Sequence, residues 1–140
     1  MDYVELHCHS AYSLLDGTSA PANLVTRAAD LGMDALALTD RDGVYGAVRF
    51  VKACSAAGIR PVLGVDLALP ATGVARPDFR RGGIGQRRSP ARGGAFVDPD
   101  RPRITVLAAG RAGWGALCRL ITATHLAGAS QPLLTAATGG

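Results

Sequence analysis

His7 and His9 stand one residue apart, and Asp16 follows seven residues later, in the opening stretch MDYVELHCHSAYSLLDG. Imidazole nitrogens and carboxylates are the donors that hold Zn²⁺ and similar divalent cations. The H-x-H spacing suits that chemistry if the segment is extended, because residues i and i+2 of a strand share a face. Val4, Leu6 and Cys8 alternate with Glu5, His7 and His9, the period-2 pattern of a strand. Both rings then point the same way. Such a pair is a metal pincer or two solvated surface histidines, and the elements around it must decide.

Those elements alternate between helix and strand. PANLVTRAADLG has a helical stripe of Leu24, Val25, Ala28, Ala29 and Leu31, with Pro21 suited to the first turn and Gly32 to the left-handed position after the last. DALALTD follows as a short buried strand. YGAVRFVKACSAAG reads as a second helix stopped by Gly58, and IRPVLGVD as another strand. RITVLAAG is a fourth strand, and AGWGALCRLITATHLAG a third helix with Leu117, Leu120, Ile121 and Leu126 on its apolar side. Strands separated by helices imply parallel β-α units. A weak repeat supports this: Asp40 stands eight residues after Gly32, and Asp66 eight residues after Gly58. Three strands thus deliver His, Asp and Asp to their C-terminal ends, which in a parallel barrel form the rim that carries the chemistry.

Between residues 71 and 103 lie eight arginines and three aspartates; the rest of the chain holds seven basic and eight acidic residues. The formal charge of +4 is therefore confined to one Gly-, Pro- and Arg-rich stretch without periodicity. It reads as a solvated insertion over 71–102, with Arg80, Arg81, Arg87 and Arg88 as candidates for a salt-sensitive, sequence-blind contact to DNA phosphates. No run of about 18 apolar residues suggests a membrane span. The segment before the first helix lacks the basic-then-apolar pattern of a secretory signal. Cys8, Cys54 and Cys118 form no C-x-x-C pair, which favours a reduced, cytoplasmic setting.

ELHCHSAYSLLDG, ALALTDRDGVYGAVRF and GIRPVLGVD together resemble the first three motifs of the PHP (polymerase and histidinol phosphatase) domain, in the form carried by bacterial DNA polymerase III alpha subunits. The wording TDRDGVYGAVRF and the later ATHLAG resemble the error-prone, mutagenic-repair branch most closely. The resemblance implies an α/β fold: the first half of a distorted, TIM-like (β/α)7 barrel with parallel strands and outer helices. Residues 1–70 would hold the ligand motifs, 103–128 a further β/α unit, and 129–140 a tail where the domain is cut short. It implies a parent DNA-directed DNA polymerase, with the remainder of that chain as partner, DNA reached through it, and Zn²⁺ or Mn²⁺ as the family's cofactor.

By the same resemblance His7, His9 and Asp16 match metal ligands, and Asp66 takes the place of a bridging glutamate. Arg41 stands where the family's T-D-H triplet has its histidine, and Arg103 where a histidine opens the fourth strand. Guanidinium is always charged and offers no lone pair, so neither arginine can bind a cation. A degenerate site is expected, with weak or absent metal and Arg41 neutralising Asp16, Asp40 or Asp66. Asp40 is expected to anchor the strand-to-helix turn, Asp42–Gly43 to form a turn, Tyr12, Tyr45 and Trp114 to pack, Cys8 to be buried, and His125 to end its helix far from the rim. Three functions remain open: a structural module of an error-prone polymerase, a metal-dependent phosphoesterase or 3′–5′ exonuclease in which a metal activates water, and a DNA-contacting module.

Overall fold

The computed structural model describes residues 3–14, 16–69 and 102–126. Three helices and three strands follow in the order α1 (Pro21–Asp30), β1 (Ala35–Leu38), α2 (Ala47–Ala57), β2 (Arg60–Ala68), β3 (Arg103–Leu107) and α3 (Gly110–Leu126). Pro21 opens α1 as its fixed φ favours. Gly58 closes α2 at φ +69°, a left-handed conformation that costs a residue with a Cβ about 1 kcal/mol or more.

The sheet has the order β1-β2-β3. β1 and β2 are parallel, pairing Ala35 with Arg60 through Leu38 with Leu63. β3 runs antiparallel to β2, pairing Gly64 with Leu107 through Ala68 with Arg103. The expected run of parallel strands therefore ends at β2. The physical reason lies in the connection: a parallel neighbour needs a crossover that carries the chain back to the far end of the sheet, usually as a helix. The stretch before Arg103 has no helical periodicity. Leu69 N–H instead donates to Pro102 C=O at 2.7 Å, so the chain departs and re-enters at one end of the ladder. A complete barrel is not present among the described residues.

The expected first strand is also modified. Glu5 forms a single parallel bridge with Leu36, Ala37 N–H donates to Glu5 C=O at 2.9 Å, and Thr39 N–H donates to Cys8 C=O at 2.8 Å. Three residues on this segment oppose two on β1, so it carries a bulge. Glu5 explains it locally. Its carboxylate accepts the His7 amide at 3.0 Å and the Tyr3 hydroxyl at 2.6 Å, drawing the backbone out of the ladder. Leu6 is left exposed, contrary to a regular buried alternation.

Leu63, Val65 and Leu67 share one face of β2. Leu63 packs against Val25, Ala28, Leu36, Leu38, Phe50, Cys54 and Ile59, the core under α1 and α2. Val65 and Leu67 join Leu117 and Ile121 of α3, with Trp114 packed against them as expected. The helices thus cover one side of the sheet, and Asp66 projects from the other. Arg80, Arg81, Arg87 and Arg88, the rest of 71–101, and the 129–140 tail lie outside the described residues.

Candidate metal centre

The bulged segment places both histidines near the C-terminal ends of β1 and β2. His7 Nε2 and His9 Nε2 lie 3.2 Å apart, their rings edge to face with centroids 4.9 Å apart. His9 Nε2 is 3.5 Å from Asp66 Oδ2, and His9 Nδ1 is 3.6 Å from Asp16 Oδ2. Donor atoms of His7, His9 and Asp66 fall within 4.8 Å of one another, a His/Asp group that could hold a metal ion. The four sequence candidates are therefore brought together, and so are both arginines.

Arg41 continues β1 through a parallel bridge to Asp66. Its Nε lies against Asp16 Oδ2 and 3.8 Å from Asp66 Oδ2. That nitrogen is buried and makes no well-directed hydrogen bond, so the contact with Asp16 is one of charge. Arg103 is held more fully. Its Nε donates to Asp66 Oδ2 at 2.7 Å, and its Nη2 donates to the Asp66 carbonyl at 2.6 Å and to Asp42 Oδ1 at 2.9 Å. Asp66 Oδ2 thus faces His9, Arg41 and Arg103 at once. A cation on that oxygen would meet two fixed positive charges.

Burial, and then the neighbouring His7, push the His9 pKa below the ordinary imidazole value. The unfolded chain therefore takes up a proton first as pH falls through about 6.5. Stability contributed by neutral His9 is present in full above that range and declines as pH drops, levelling off below the folded value. Urea midpoints measured at pH 7.5 and 5.5 should fall with pH, with a smaller fall in His9→Gln.

Asp40 corrects one expectation. It holds not its own turn but the preceding loop: its carboxylate accepts Ser10 N–H at 2.7 Å, Ser10 Oγ–H at 2.8 Å and Ser13 Oγ–H at 2.7 Å. The parallel neighbour of β1 is the His7–His9 segment, so the end of β1 meets the loop leaving that segment. Gly17 closes this loop. A Cβ there would stand 1.9 Å from Ser10 O, so Gly17→Ala should lower stability by about 1–3 kcal/mol through forced backbone movement, read from the denaturation midpoint.

His125 is a second correction. Its Nε2 lies 2.6 Å from the Asp42 carbonyl, at the rim and not far from it. Antiparallel β3 starts at the rim, so α3 returns to it. Tyr45 stays out of the core, exposed with its ring over Gly43, and Cys8 is half-buried, with burial raising its thiol pKa. Sequence reading missed Asp42 as an ion-pair partner and Ser10 and Ser13 as loop anchors. Asp42 sits at φ +53°, and the Asp-Gly pair was the available signal, read there only as a turn.

The family profile described as PHP domain matches residues 5–137. The chain is 41% identical over 165 residues to an error-prone DNA polymerase from Nocardia farcinica, covering 99% of this chain and 14% of that protein. It is 44% identical over 146 residues to an error-prone DNA polymerase from Mycobacterium bovis, covering 99% and 12%. A solved structure of a candidate metal-dependent phosphoesterase from Bifidobacterium adolescentis aligns at 30% identity and a TM-score of 0.45, over 49% of this chain and 23% of that one. No helix among the described residues is long and apolar enough to cross a membrane. With the profile spanning nearly its whole length, the chain belongs to the PHP domain family.

Proposed function

We propose that this chain is the structural PHP module of an error-prone-type DNA polymerase, with ion pairs in place of the family's metals. One observation carries the reading: Arg41 and Arg103 seat their guanidinium groups on Asp16 and Asp66, two of the groups that would serve a cation. The similarity to error-prone polymerases over 99% of this chain supports the parent activity. In that protein the module would contribute a folded platform to DNA replication and translesion repair, and the polymerase chemistry would reside in the remaining sequence. A salt-sensitive contact to DNA phosphates is the role proposed for Arg80, Arg81, Arg87 and Arg88, on charge alone.

A second reading, a metal-dependent phosphoesterase or 3′–5′ exonuclease, is favoured by the proximity of the His7, His9 and Asp66 donors. The two are separated by purifying the whole polymerase chain that contains this sequence, measuring its metal content by plasma emission, and assaying single-stranded DNA hydrolysis in a polymerase-inactive background. The structural reading expects substoichiometric metal at these residues and no exonuclease turnover that depends on His7 or His9. Stoichiometric metal with turnover lost in His9→Ala would establish the enzyme instead.

A further inference from the structure

The loop from Ser10 to Gly17 carries Asp16, and its shape traces back to one buried side chain. Asp40 is 1% exposed, as is Ser13, and Ser10 is fully buried. Asp40 Oδ1 accepts both Ser10 N–H and Ser13 Oγ–H, while Oδ2 accepts Ser10 Oγ–H. Each serine passes the constraint on. Ser10 Oγ accepts Tyr12 N–H at 3.2 Å, and Ser13 Oγ accepts the Arg41 amide at 3.0 Å. The Ser13 carbonyl accepts Asp16 N–H at 3.0 Å and Gly17 N–H at 2.9 Å. The chain of bonds therefore runs from Asp40 through Ser13 to both members of the Arg41–Asp16 pair. A carboxylate suits this position because three donors converge on it and it donates nothing in return.

The geometry points to Asp40 as a positioning residue that sets the metal-motif loop from inside the fold, through Ser10 and Ser13, so that Asp16 is presented without any bound ion. The Asp40 carboxylate is engaged by Ser10 and Ser13. It reaches Asp16 through the serine hydroxyls and the loop backbone, and Arg41 both through Ser13 Oγ and as its neighbour in the chain. The inference rests on the ion-paired reading in one respect, that Asp16 faces Arg41. Tight metal binding by the natural chain would overturn that reading and leave this one standing.

Amide hydrogen exchange of the full 140-residue chain, followed residue by residue by NMR, tests it. Asp40→Asn offers one acceptor oxygen where the carboxylate offers two. It should speed exchange at Ser13, Asp16 and Gly17 by tenfold or more beyond any change at the β2 amides. Val25→Ala, which cuts the core under α1, should do the reverse, affecting α1 and β2 more than the loop. A double-mutant cycle of Arg41→Ala and Asp16→Ala should show coupling in the natural background and none with Asp40→Asn. If Asp40→Asn does not fold, Ser13→Ala takes its place and should give the same pattern, since it removes both the donor to Asp40 and the acceptor for the Arg41 amide. Loop amides that change by no more than the β2 amides, or Arg41–Asp16 coupling that survives the substitution, would overturn the assignment.

Discussion

Arg103→Ala should destabilise the chain by about 3–5 kcal/mol, because it strips the partner from a buried charge. The Asp66 side chain is only 4% exposed and Arg103 only 14%. The substitution removes two hydrogen bonds to Asp66 and one to Asp42 together. Arg41 Nε, at 3.8 Å from Asp66 and committed to Asp16, is poorly placed to compensate. Against a typical domain stability of about 5–15 kcal/mol, such a loss is a large fraction of the total. Urea denaturation at pH 7.5 would measure it. Removing both charges with Arg103→Met and Asp66→Leu should recover most of the loss, since a buried ion pair is often no better than a well-packed apolar pair. A loss below about 1 kcal/mol in Arg103→Ala would place the pair in the range of solvent-screened surface bridges and remove the main support for ion pairs holding the rim.

Arg41→His together with Arg103→His should raise Zn²⁺ or Mn²⁺ affinity by about 10³ or more. A unit charge about 4 Å from a bound cation repels it by roughly 4 kcal/mol at an effective dielectric near 20, and each 1.4 kcal/mol is about tenfold in affinity. Each change also adds a lone-pair donor. Either substitution alone should give only part of the gain, because groups in one site do not act additively. The metal-free double variant should be less stable than the natural chain, for the reason given for Arg103→Ala. Added metal should then raise its melting temperature in a concentration-dependent way, as expected for a ligand that binds only the folded state. Calorimetric titration and thermal melts together decide the point. Equal affinity in the natural chain and the double variant would show that the arginines do not oppose a cation.

Much of this was legible because it depends on local rules. Pro21 and Gly58 bound their helices as capping chemistry requires, and the eight-residue spacing from Gly32 to Asp40 and from Gly58 to Asp66 does bring the two residues together, Asp66 N–H donating to Asp40 C=O at 3.1 Å. His7 and His9 do turn their rings together. What escaped were relations between segments distant in sequence. The direction of β3 depends on how the chain re-enters at Pro102, which periodicity cannot report. From that one reversal followed the misplacement of His125, since the end of α3 moves to the opposite end of the sheet when β3 is turned around. Ser10 and Ser13 looked like ordinary loop residues, and only the parallel contact between β1 and the His7–His9 segment reveals what their hydroxyls face.

The hydrogen bond between Leu69 and Pro102 has a consequence for how the chain could be re-engineered. It fastens the two ends of the intervening peptide side by side, so the register of Arg103 against Ala68 is set at the gate and not by what passes through it. Length and charge there become free variables, with each doubling of a flexible loop costing only about 0.6 kcal/mol in closure entropy. A reporter domain, an affinity tag or a peptide of opposite charge spliced between the two residues should therefore leave the guanidinium–carboxylate rim in place, which the melting temperature of the spliced chain would check.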